Sequence, residues 1–460
     1  MMHSSVDIKS LMVPGKCVHL SGIGGVSMCP LAEVLAGMGM KVQGSDMNDS
    51  DTVRHLRSQG ISVAIGHSAE NLKDCDLVIR TAAIHDENPE IAGAVARGIP
   101  VYERAQAWGA IMQNYPNAVC ISGTHGKTTT TSMTTHIFMA AQADPTVMIG
   151  GTLPLLHSGY RVGRGDTIIL ESCEYCNSFL NFFPTVAVIL DVEADHLDFF
   201  KDLADIEHSF HTFAALVPEN GYVISNADDP GARAAVKGLA HPVFTFGLDN
   251  PADCTAAHIV YNGGYPSFDV VIRGTIYAHV ELKIAGRHNI MNALAAASSA
   301  YVLGIEGRYI FEGLAAFRGA ERRFEHKGSY HGADVFDDYA HHPGELHALL
   351  TTAKTMPYKR IICAFQPHTY SRTQALFDDF IRELKIPDIT ILMEIYAARE
   401  QNDIGISSND LAKQIPGAIY CSTLEKVTDT LSHLAQPGDL ILTVGAGDIF
   451  RAGEALLERA

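Results

Sequence analysis

A glycine-rich turn with one lysine is the strongest chemical signal in the sequence. Gly123-Thr124-His125-Gly126-Lys127-Thr128 joins an apolar run at 118–122, which predicts a strand, to a predicted helix at 128–141. Backbone N–H groups of such a turn surround phosphates, the lysine reaches the terminal phosphates, and the threonine hydroxyl binds Mg²⁺. The common P-loop has a glycine six residues before the lysine, where this chain has Ile121. We expect a triphosphate site; the alternative is a strand-helix turn with an exposed lysine.

Two groups of acids follow later apolar runs. Glu171 and Glu174 come after a predicted strand at 166–170. After the next strand, at 186–190, come Asp191, Glu193, Asp195, His196 and Asp198. Carboxylates at strand ends lie where doubly wound sheets bind ligands, and Mg²⁺ or Mn²⁺ accepts carboxylate and imidazole ligands. These groups together predict a metal site, although a single acid of this kind is more often a solvated loop residue.

A second glycine-rich turn lies near the N-terminus. Gly22, Gly24, Gly25 and Ser27 follow a predicted strand at 17–20 and open a predicted helix at 26–38, and Asp46 follows a strand at 41–44. Such glycines let backbone N–H groups approach a diphosphate, and the carboxylate can accept hydrogen bonds from a ribose. The turn predicts a nucleotide diphosphate site rather than an empty turn. These residues leave open whether the ligand is a dinucleotide cofactor or a nucleotide-sugar.

Four polar motifs follow in the second half of the chain. They are Arg287–Asn292, Arg322–Glu325, Asp337–Pro343 and Gln366–Thr373. Adjacent arginines can neutralise charge on a transferring phosphoryl group, and a guanidinium pairs bidentately with a carboxylate. The motifs therefore predict contacts with phosphate and with a small acid. The alternative is a set of well-satisfied loop residues.

The order of the predicted elements indicates an α/β fold. Short apolar runs alternate with helical patterns from the first residues onward, which predicts parallel strands with crossover helices. Later strands are expected at 76–79, 222–225, 359–365, 389–393 and 439–444, and a helix is expected at 370–384. At about 100–200 residues per domain, 460 residues suggest two to four domains.

Composition limits the class of partner. The chain has 34 Lys and Arg against 52 Asp and Glu, a formal charge of −18, which disfavours nucleic acids and anionic membranes. No run of 18 apolar residues and no secretory leader is visible, so we expect no membrane span and a cytoplasmic location. Nine cysteines, an odd number, fit reduced thiols, and the only close pair, Cys173 and Cys176, has no second pair to complete a zinc site.

Taken together, the motifs resemble the Mur ligase family, and most closely its alanine-adding branch. The short Gly-Thr-His-Gly-Lys-Thr turn is the version that this family uses in place of the longer P-loop. The resemblance runs over nearly the whole chain, from Gly22–Met28 to Gly445–Ile449. Other branches carry a carbamylated lysine where this chain has Asp228-Asp229-Pro230, and no lysine lies between Asn226 and Pro230.

The resemblance implies three domains and an ATP-dependent reaction. The expected domains are a Rossmann-like UDP-sugar domain at 1–110, a central P-loop ATPase-type domain with a parallel sheet at 111–320, and a C-terminal Rossmann-like domain at 321–460. ATP would phosphorylate the carboxylate of UDP-N-acetylmuramate, and L-alanine would attack the acyl phosphate. The expected metal is Mg²⁺, with Mn²⁺ as the alternative, and the expected assembly is a monomer or homodimer.

Roles carry over residue by residue from this resemblance. The expected catalytic residues are Lys127, Glu174, His196, Arg323 and Asp338, and the metal ligands are Thr128, Glu174 and His196. The expected ATP site comprises Gly123, Thr124, His125, Gly126, Lys127, Thr128, Thr129, Asn289, Asn292, Arg323 and Asp338. The expected sites for the sugar and alanine comprise Gly22, Gly24, Gly25, Ser27, Asp46, His341 and Arg372.

Two positions depart from the family pattern. Cys173 stands where the family often has Asp, and Thr369 stands where it commonly has Arg, so that Arg372 or Arg399 would supply the missing charge. Three other functions stay open: a relative that attaches a recycled tripeptide, a nicotinamide-dependent oxidoreductase built on the first glycine turn, and a nucleotide-sensing module without chemistry. The oxidoreductase alternative leaves the turn at 123–131 unexplained.

Overall fold

The computed structural model describes residues 7–25, 27–81, 83–197, 199–398 and 400–460. Three residues considered above, Val26, Asp198 and Arg399, lie outside the described residues. Within the described ranges, no helix combines the length and the apolar character that crossing a bilayer requires.

The first sheet has five parallel strands in the order β3-β2-β1-β4-β5. Its strands are β1 (Cys17–Ser21), β2 (Lys41–Asp46), β3 (Ser62–Ile65), β4 (Leu77–Arg80) and β5 (Val101–Glu103). Its helices are α1 (Ile8–Leu11), α2 (Met28–Gly37), α3 (Asp51–Ser58), α4 (Pro89–Ala96) and α5 (Arg104–Met112). The apolar residues of β1 and β4 are fully buried, as expected for central parallel strands covered by helices on both faces.

The second sheet has ten strands in the order β15-β14-β13-β12-β11-β10-β6-β9-β7-β8. The strands are β6 (Asn117–Ser122), β7 (Thr146–Leu153), β8 (Ser158–Arg161), β9 (Thr167–Glu171), β10 (Val186–Ile189), β11 (Tyr222–Asn226), β12 (Val243–Phe246), β13 (Cys254–Asn262), β14 (Tyr265–Ile272) and β15 (Thr275–Glu281). The helices are α6 (Lys127–Ala140), α7 (Leu203–Ala214), α8 (Pro230–Val236), α9 (Arg287–Val302) and α10 (Gly307–Ala316). Strand β6 pairs in parallel with both β9 and β10, so the turn after β6 opens at the middle of a parallel sheet.

The third sheet has six strands in the order β16-β17-β21-β18-β19-β20, parallel except for the β16/β17 pair. The strands are β16 (Glu325–Tyr330), β17 (Ala333–Asp338), β18 (Arg360–Phe365), β19 (Ile389–Met393), β20 (Ile419–Cys421) and β21 (Asp439–Val444). The helices are α11 (Pro343–Lys354), α12 (Tyr370–Ala375), α13 (Phe377–Glu383), α14 (Ser408–Ala412), α15 (Leu424–Leu434) and α16 (Phe450–Leu457). The predicted α/β class with three largely parallel sheets is therefore confirmed.

Several predicted elements differ from the structure at their ends. Asp46 and Glu171 are the last residues of their strands rather than loop residues. The helix expected at 370–384 is two helices, α12 and α13, because Leu376 leaves the helical path at φ −111° and ψ 26°. Leu376 and Phe377 both pack against the core beside the third sheet, and this packing fixes the break.

The chain forms two compact units. The first comprises Met1–Thr255, Val270–Ala278 and Asn292–Gly313, and the second comprises Ala256–Asp269, His279–Met291 and Leu314–Ala460. The first sheet and the turn after β6 belong to the first unit, and the third sheet belongs to the second. The domain limits at 110 and 320 stay a prediction.

Candidate active site

The turn after β6 needs its two glycines for steric reasons. Gly126, the residue before α6, has φ 77°, and a Cβ there would lie 2.6 Å from the side-chain oxygen of Asn292. Gly123 has φ 146°, and a Cβ there would lie 2.9 Å from the Leu190 side chain. Only glycine fits at both positions, because any Cβ would clash with these neighbours. The two glycines are therefore required by the close packing of the turn on Leu190 and Asn292.

The turn is anchored to the residue after β10. Asp191 accepts hydrogen bonds from the N–H of His125 at its carboxylate (2.8 Å) and from the N–H of Thr124 at its carbonyl (3.1 Å). In return, the Thr124 hydroxyl accepts a hydrogen bond from the N–H of Glu193 at 2.9 Å. Burial raises the pKa of Asp191 to about 6 despite the opposing effect of His125. The predicted acid after β10 thus positions the turn.

Lys127 points back into the turn and forms a buried ion pair. Its Nζ donates to the carbonyls of Gly123 and Thr124 and lies 3.0 Å from Oε2 of Glu174, whose side chain is 3% exposed. Burial alone would lower the pKa of Lys127, but the charge of Glu174 outweighs burial and raises it. The site therefore holds a permanent cation directly beside a buried carboxylate.

The predicted metal ligands lie in the same cluster. Nε2 of His196 lies 3.7 Å from Oε1 of Glu174, and the Thr128 hydroxyl donates to Glu171 at 3.0 Å. Glu171 also accepts the N–H of Gly150 at 2.7 Å. A hydroxyl, two carboxylates and an imidazole are donors that suit Mg²⁺ or Mn²⁺, so the residues present fit such an ion.

Helix α9 contributes two buried amides near its start. The side-chain oxygen of Asn292 accepts a hydrogen bond from the Thr130 hydroxyl at 3.2 Å, which ties α9 to α6 within the first unit. In the second unit, Asn289 donates from its side chain to the Ala285 carbonyl at 2.6 Å. Both side chains are under 10% exposed. These bonds hold the two predicted ATP-site amides in defined orientations.

The first glycine turn is tied to the end of β2. The N–H groups of Gly22 and Ile23 donate to the Ser45 carbonyl at 2.8 and 2.9 Å, and the N–H of Gly24 donates to the Asp46 carboxylate at 2.9 Å. A Cβ at Gly24 would lie 2.9 Å from the same carboxylate oxygen. Ser27 precedes α2 and makes no capping bond through its side chain. In this structure Asp46 therefore fixes the turn, and its predicted contact with a ribose stays a prediction.

A buried carboxylate beneath this turn was missed by the sequence analysis. Glu90, in the first turn of α4, is fully buried and receives contacts from five side chains of the first unit. They are Ser21 (2.6 Å), Ser45 (2.7 Å), Asn71 (2.8 Å), His19 (3.2 Å) and His67 (3.2 Å). These residues come from three separate segments, β1, β2 and the stretch 67–71, so no local spacing could have marked them. Glu90 joins the ends of β1 and β2, which carry the glycine turn.

We expect Glu90→Gln to destabilise the folded protein at pH 7 by about 2–3 kcal/mol. Burial alone would raise the pKa of Glu90, but its contacts with His19, Ser21 and Asn71 outweigh burial and lower it to about 2 from 4.5. A lowered pKa in the folded state stabilises the protein above the unfolded pKa and ceases to do so as the pH falls.

Urea unfolding of both proteins should therefore show the full difference at neutral pH. The difference should shrink as the pH falls from about 4.5 towards 2. A difference that stays constant through this range would show that the charge of Glu90 contributes nothing. Asp76→Asn is the matched control, because Asp76 accepts hydrogen bonds from Lys16 and the Cys17 N–H at the opposite end of β1.

In the second unit, the structure separates the roles of the adjacent arginines. Arg322 donates to Asp337 at 2.8 Å and to the Gly445 carbonyl at 2.6 Å, and stacks on the Phe450 ring at 4.6 Å. Arg323 has a looser environment, with Nη1 lying 3.9 Å from Glu345. Arg322 is therefore a structural residue, and Arg323 is the cation that can respond to a ligand.

Asp338 ends β17 and lies buried beside this arginine pair. Its carboxylate accepts the N–H groups of Phe324 and Ala340, both at 2.7 Å. Burial raises the pKa of Asp338 to about 6, against the lowering effect of Arg323 and these two hydrogen bonds. A carboxylate held in this way both orients the chain around Arg323 and can exchange a proton near neutral pH.

His341 and Arg372 lie in one aromatic and cationic cluster of the second unit. The His341 and His368 rings are 5.7 Å apart, the His368 ring stacks on Tyr396 at 5.7 Å, and Nη1 of Arg372 lies 3.4 Å from Nδ1 of His368. Burial, assisted by His341 and Arg372, lowers the pKa of His368 to about 4. The structure thus joins the two predicted residues through a neutral histidine and a tyrosine that the sequence analysis had not selected.

Thr369, the departure from the family pattern, has an unusual backbone. It adopts φ 67° and ψ 146° just before α12, which a β-branched residue rarely does. Its N–H donates to the Tyr396 carbonyl at 2.9 Å, and its carbonyl accepts the Thr373 hydroxyl at 2.7 Å. These bonds hold Thr369 in its strained conformation beside the histidine cluster. Backbone strain of this kind is often found at functional sites.

The nine cysteines are all free and divide by exposure. Cys29, Cys120, Cys254, Cys363 and Cys421 are buried, and Cys17 and Cys75 are half-buried. Cys173 and Cys176, on either side of Glu174, are exposed. Burial raises the pKa of Cys120, Cys254 and Cys363 to about 12.

The sequence also matches the models of a known protein family. Three family models match: "Mur ligase family, catalytic domain" at 17–116, "Mur ligase middle domain" at 121–300, and "Mur ligase, glutamate ligase domain" at 322–447.

Two curated relatives are similar over nearly their whole length, and both are named UDP-N-acetylmuramate–L-alanine ligase. The protein from Clostridium novyi is 47% identical over 447 residues, which is 96% of this chain and 97% of the relative. The protein from Clostridium acetobutylicum is 43% identical over 460 residues, which is 99% of this chain and 100% of the relative.

Two solved structures of Mur ligases are also similar to this chain. The crystal structure of a UDP-N-acetylmuramate-alanine ligase from Thermotoga maritima superposes with a TM-score of 0.79 at 29% identity, covering 96% of this chain and 98% of that one. A MurF ligase from Thermotoga maritima in complex with ADP superposes at 0.65 and 16% identity, over 91% of this chain and 95% of that one, which shows the fold alone.

Proposed function

The chain belongs to the Mur ligase family, and from this premise we propose that it is an ATP-dependent ligase that joins L-alanine to the carboxylate of UDP-N-acetylmuramate. This is an amide-forming step of peptidoglycan precursor synthesis. The similarity to alanine-adding ligases over nearly the full length of both chains is the observation that carries the proposal.

The reaction has two stages. A carboxylate oxygen of the sugar attacks the γ-phosphorus of ATP, the bond to the bridging oxygen breaks, and ADP leaves behind an acyl phosphate. The amine of alanine then attacks the acyl carbon, and the tetrahedral intermediate releases phosphate and the amide. Phosphorylation is needed because a carboxylate is a poor electrophile, and the protein acts mainly by positioning and by stabilising charge.

Lys127 binds the γ-phosphate in this proposal. Its ion pair with Glu174 keeps the ammonium in the turn before ATP arrives, and the glycines at 123 and 126 let the backbone of the turn approach the phosphates. The turn from Gly123 to Thr129 forms the phosphate site, with Asn289 and Asn292 as its amide contributors. Thr128, Glu174 and His196 hold Mg²⁺ or Mn²⁺, which neutralises phosphate charge when bound.

Arg323 acts on the transferred phosphoryl group, and Asp338 positions Arg323. Arg323 lacks the tight bonds of Arg322, so its guanidinium can bind negative charge as it develops. Asp338 fixes the backbone of Phe324 next to it. We assign to Arg323 the stabilisation of charge and to Asp338 the orientation of this arginine.

His341 and Arg372 bind L-alanine. Since His368 between them is neutral at physiological pH, Arg372 is the permanent cation of the cluster and pairs with the amino-acid carboxylate. The first glycine turn, with Gly22, Gly24, Gly25, Ser27 and Asp46, binds the UDP-sugar through its N–H groups. We also propose the domain limits 1–110, 111–320 and 321–460, supported by three family matches of similar extent.

Phosphate release tests the proposal directly. Protein is mixed with Mg-ATP, UDP-N-acetylmuramate and L-alanine, and each substrate is omitted in turn. Release that requires all three supports the ligase, and release that is indifferent to the sugar rejects it. Tripeptide in place of L-alanine distinguishes the related peptide ligase, and absence of NAD(P)H binding removes the oxidoreductase alternative.

A further inference from the structure

Arg104 is a half-buried arginine without a counter-ion among the described residues. Within the part of the chain that the structure describes, its guanidinium makes no hydrogen bond, ion pair or ring contact. Two other arginines of the same unit have partners: Arg80 pairs with Glu103 (2.8 Å) and Asp86 (2.6 Å), and Arg97 donates to two backbone carbonyls. Burial lowers the pKa of Arg104. An unpaired guanidinium held away from water costs free energy that an anionic ligand would recover.

The position of Arg104 in the first sheet points to a ligand. It follows β5 directly, and β5 pairs in parallel with β4, whose other neighbour is β1. Arg104 therefore lies at the same carboxyl edge as the glycine turn after β1, two strand positions or about 10 Å away. The carboxyl edge of a parallel sheet is where such folds bind their ligands.

The helix that begins at Arg104 also packs against the loop that carries Glu174. A Cβ at Gly109 of α5 would lie 1.9 Å from the Asn181 carbonyl, so the helix and the segment Tyr175–Asn181 approach at backbone distance. At the start of the helix, Arg104 is within electrostatic range of the Cys173 side chain, one residue before Glu174. Arg104 thus shares the strand-end edge that carries the turn assigned to the UDP-sugar, and its helix packs against the segment that follows Glu174.

We propose that Arg104 binds the carboxylate of the muramoyl group and holds it for attack on ATP. This inference rests on the proposed function, in which that carboxylate must lie between the sugar nucleotide and the γ-phosphate. A guanidinium donates two parallel hydrogen bonds to a carboxylate, which fixes the direction of its oxygens. Arg104 transfers no proton; it neutralises the acid in the ground state and accompanies it as the phosphoryl group is added.

Binding of two sugar nucleotides by calorimetry tests the assignment. UDP-N-acetylmuramate carries the carboxylate, and UDP-N-acetylglucosamine lacks it. We expect Arg104→Ala to weaken binding of the first by about tenfold or more and to leave binding of the second within about twofold. Arg104→Lys should restore part of the loss, because it keeps the charge without the planar pair of donors.

Thermal unfolding distinguishes a loss of ligand binding from a loss of stability. Because Arg104 makes no hydrogen bond or ion pair with the residues that the structure describes, Arg104→Ala should unfold at the same temperature as the unaltered protein or higher. Arg97→Gln is the control for net charge and should bind both nucleotides normally. Equal weakening for both nucleotides, or no weakening for either, overturns the role of Arg104. An unaltered protein that binds neither sugar nucleotide would instead reject the proposed function itself.

Discussion

Lys127→Ala is expected to reduce phosphate release in the complete reaction by about 10³-fold or more. Lys127 is the cation of the phosphate turn, and its ammonium is already directed there by the Gly123 and Thr124 carbonyls and by Glu174. Without it, the γ-phosphate loses its counter-charge, and Glu174, 3% exposed, keeps a buried charge without its cation. Steady-state assays with saturating substrates measure the effect.

Lys201→Ala is the matched control for this substitution. Lys201 is exposed and belongs to the same unit, so its removal changes the net charge equally without touching the turn. Its ligation rate should stay within about twofold of the unaltered enzyme. If Lys127→Ala kept the unaltered rate, the assigned γ-phosphate contact would be wrong.

Arg323→Ala is expected to lower kcat by about 10²-fold while changing the KM for ATP by less than about threefold. The physical reason is that Arg323 is loosely held in the ground state, with its nearest carboxylate oxygen at 3.9 Å. An interaction made chiefly in the transition state affects turnover rather than ground-state binding. Initial rates at varied ATP give both constants.

The neighbouring arginine provides the contrast. Arg322→Ala removes a contact to Asp337, 2% exposed, and should destabilise the protein by about 3–5 kcal/mol in urea unfolding. Arg323→Ala should leave stability within about 1 kcal/mol. The reverse pattern, with Arg322 controlling turnover and Arg323 controlling stability, would contradict the assignment.

The phosphate turn could be predicted because its chemistry is local. Glycines, a lysine and a threonine directly after an apolar strand specify both the shape and the ligand, and the structure keeps them together. The acids after β9 and β10 were predictable for the same reason, since parallel strands end at one edge. What the sequence could not decide was which acids serve the ligand and which, like Asp191, hold the turn.

Residues that act through distant partners were missed. Glu90 is an ordinary helical glutamate in the sequence, and only the fold surrounds it with side chains from three other segments. Arg104 could be selected only from the structure, where its guanidinium has no hydrogen-bond or ion-pair partner among the described residues. The choice between Arg322 and Arg323 likewise depends on Asp337 and Gly445, which are 15 and 123 residues away from Arg322.

The distribution of cysteines gives the enzyme a built-in attachment point for spectroscopic labels. Cys173 and Cys176 are exposed residues, and the other seven cysteines are buried or half-buried. A fluorophore attached at either cysteine would lie next to Glu174 in the sequence, so nucleotide binding at the proposed phosphate site is expected to change its emission. Protection of these two thiols by ATP would turn the same chemistry into a footprint of the phosphate site.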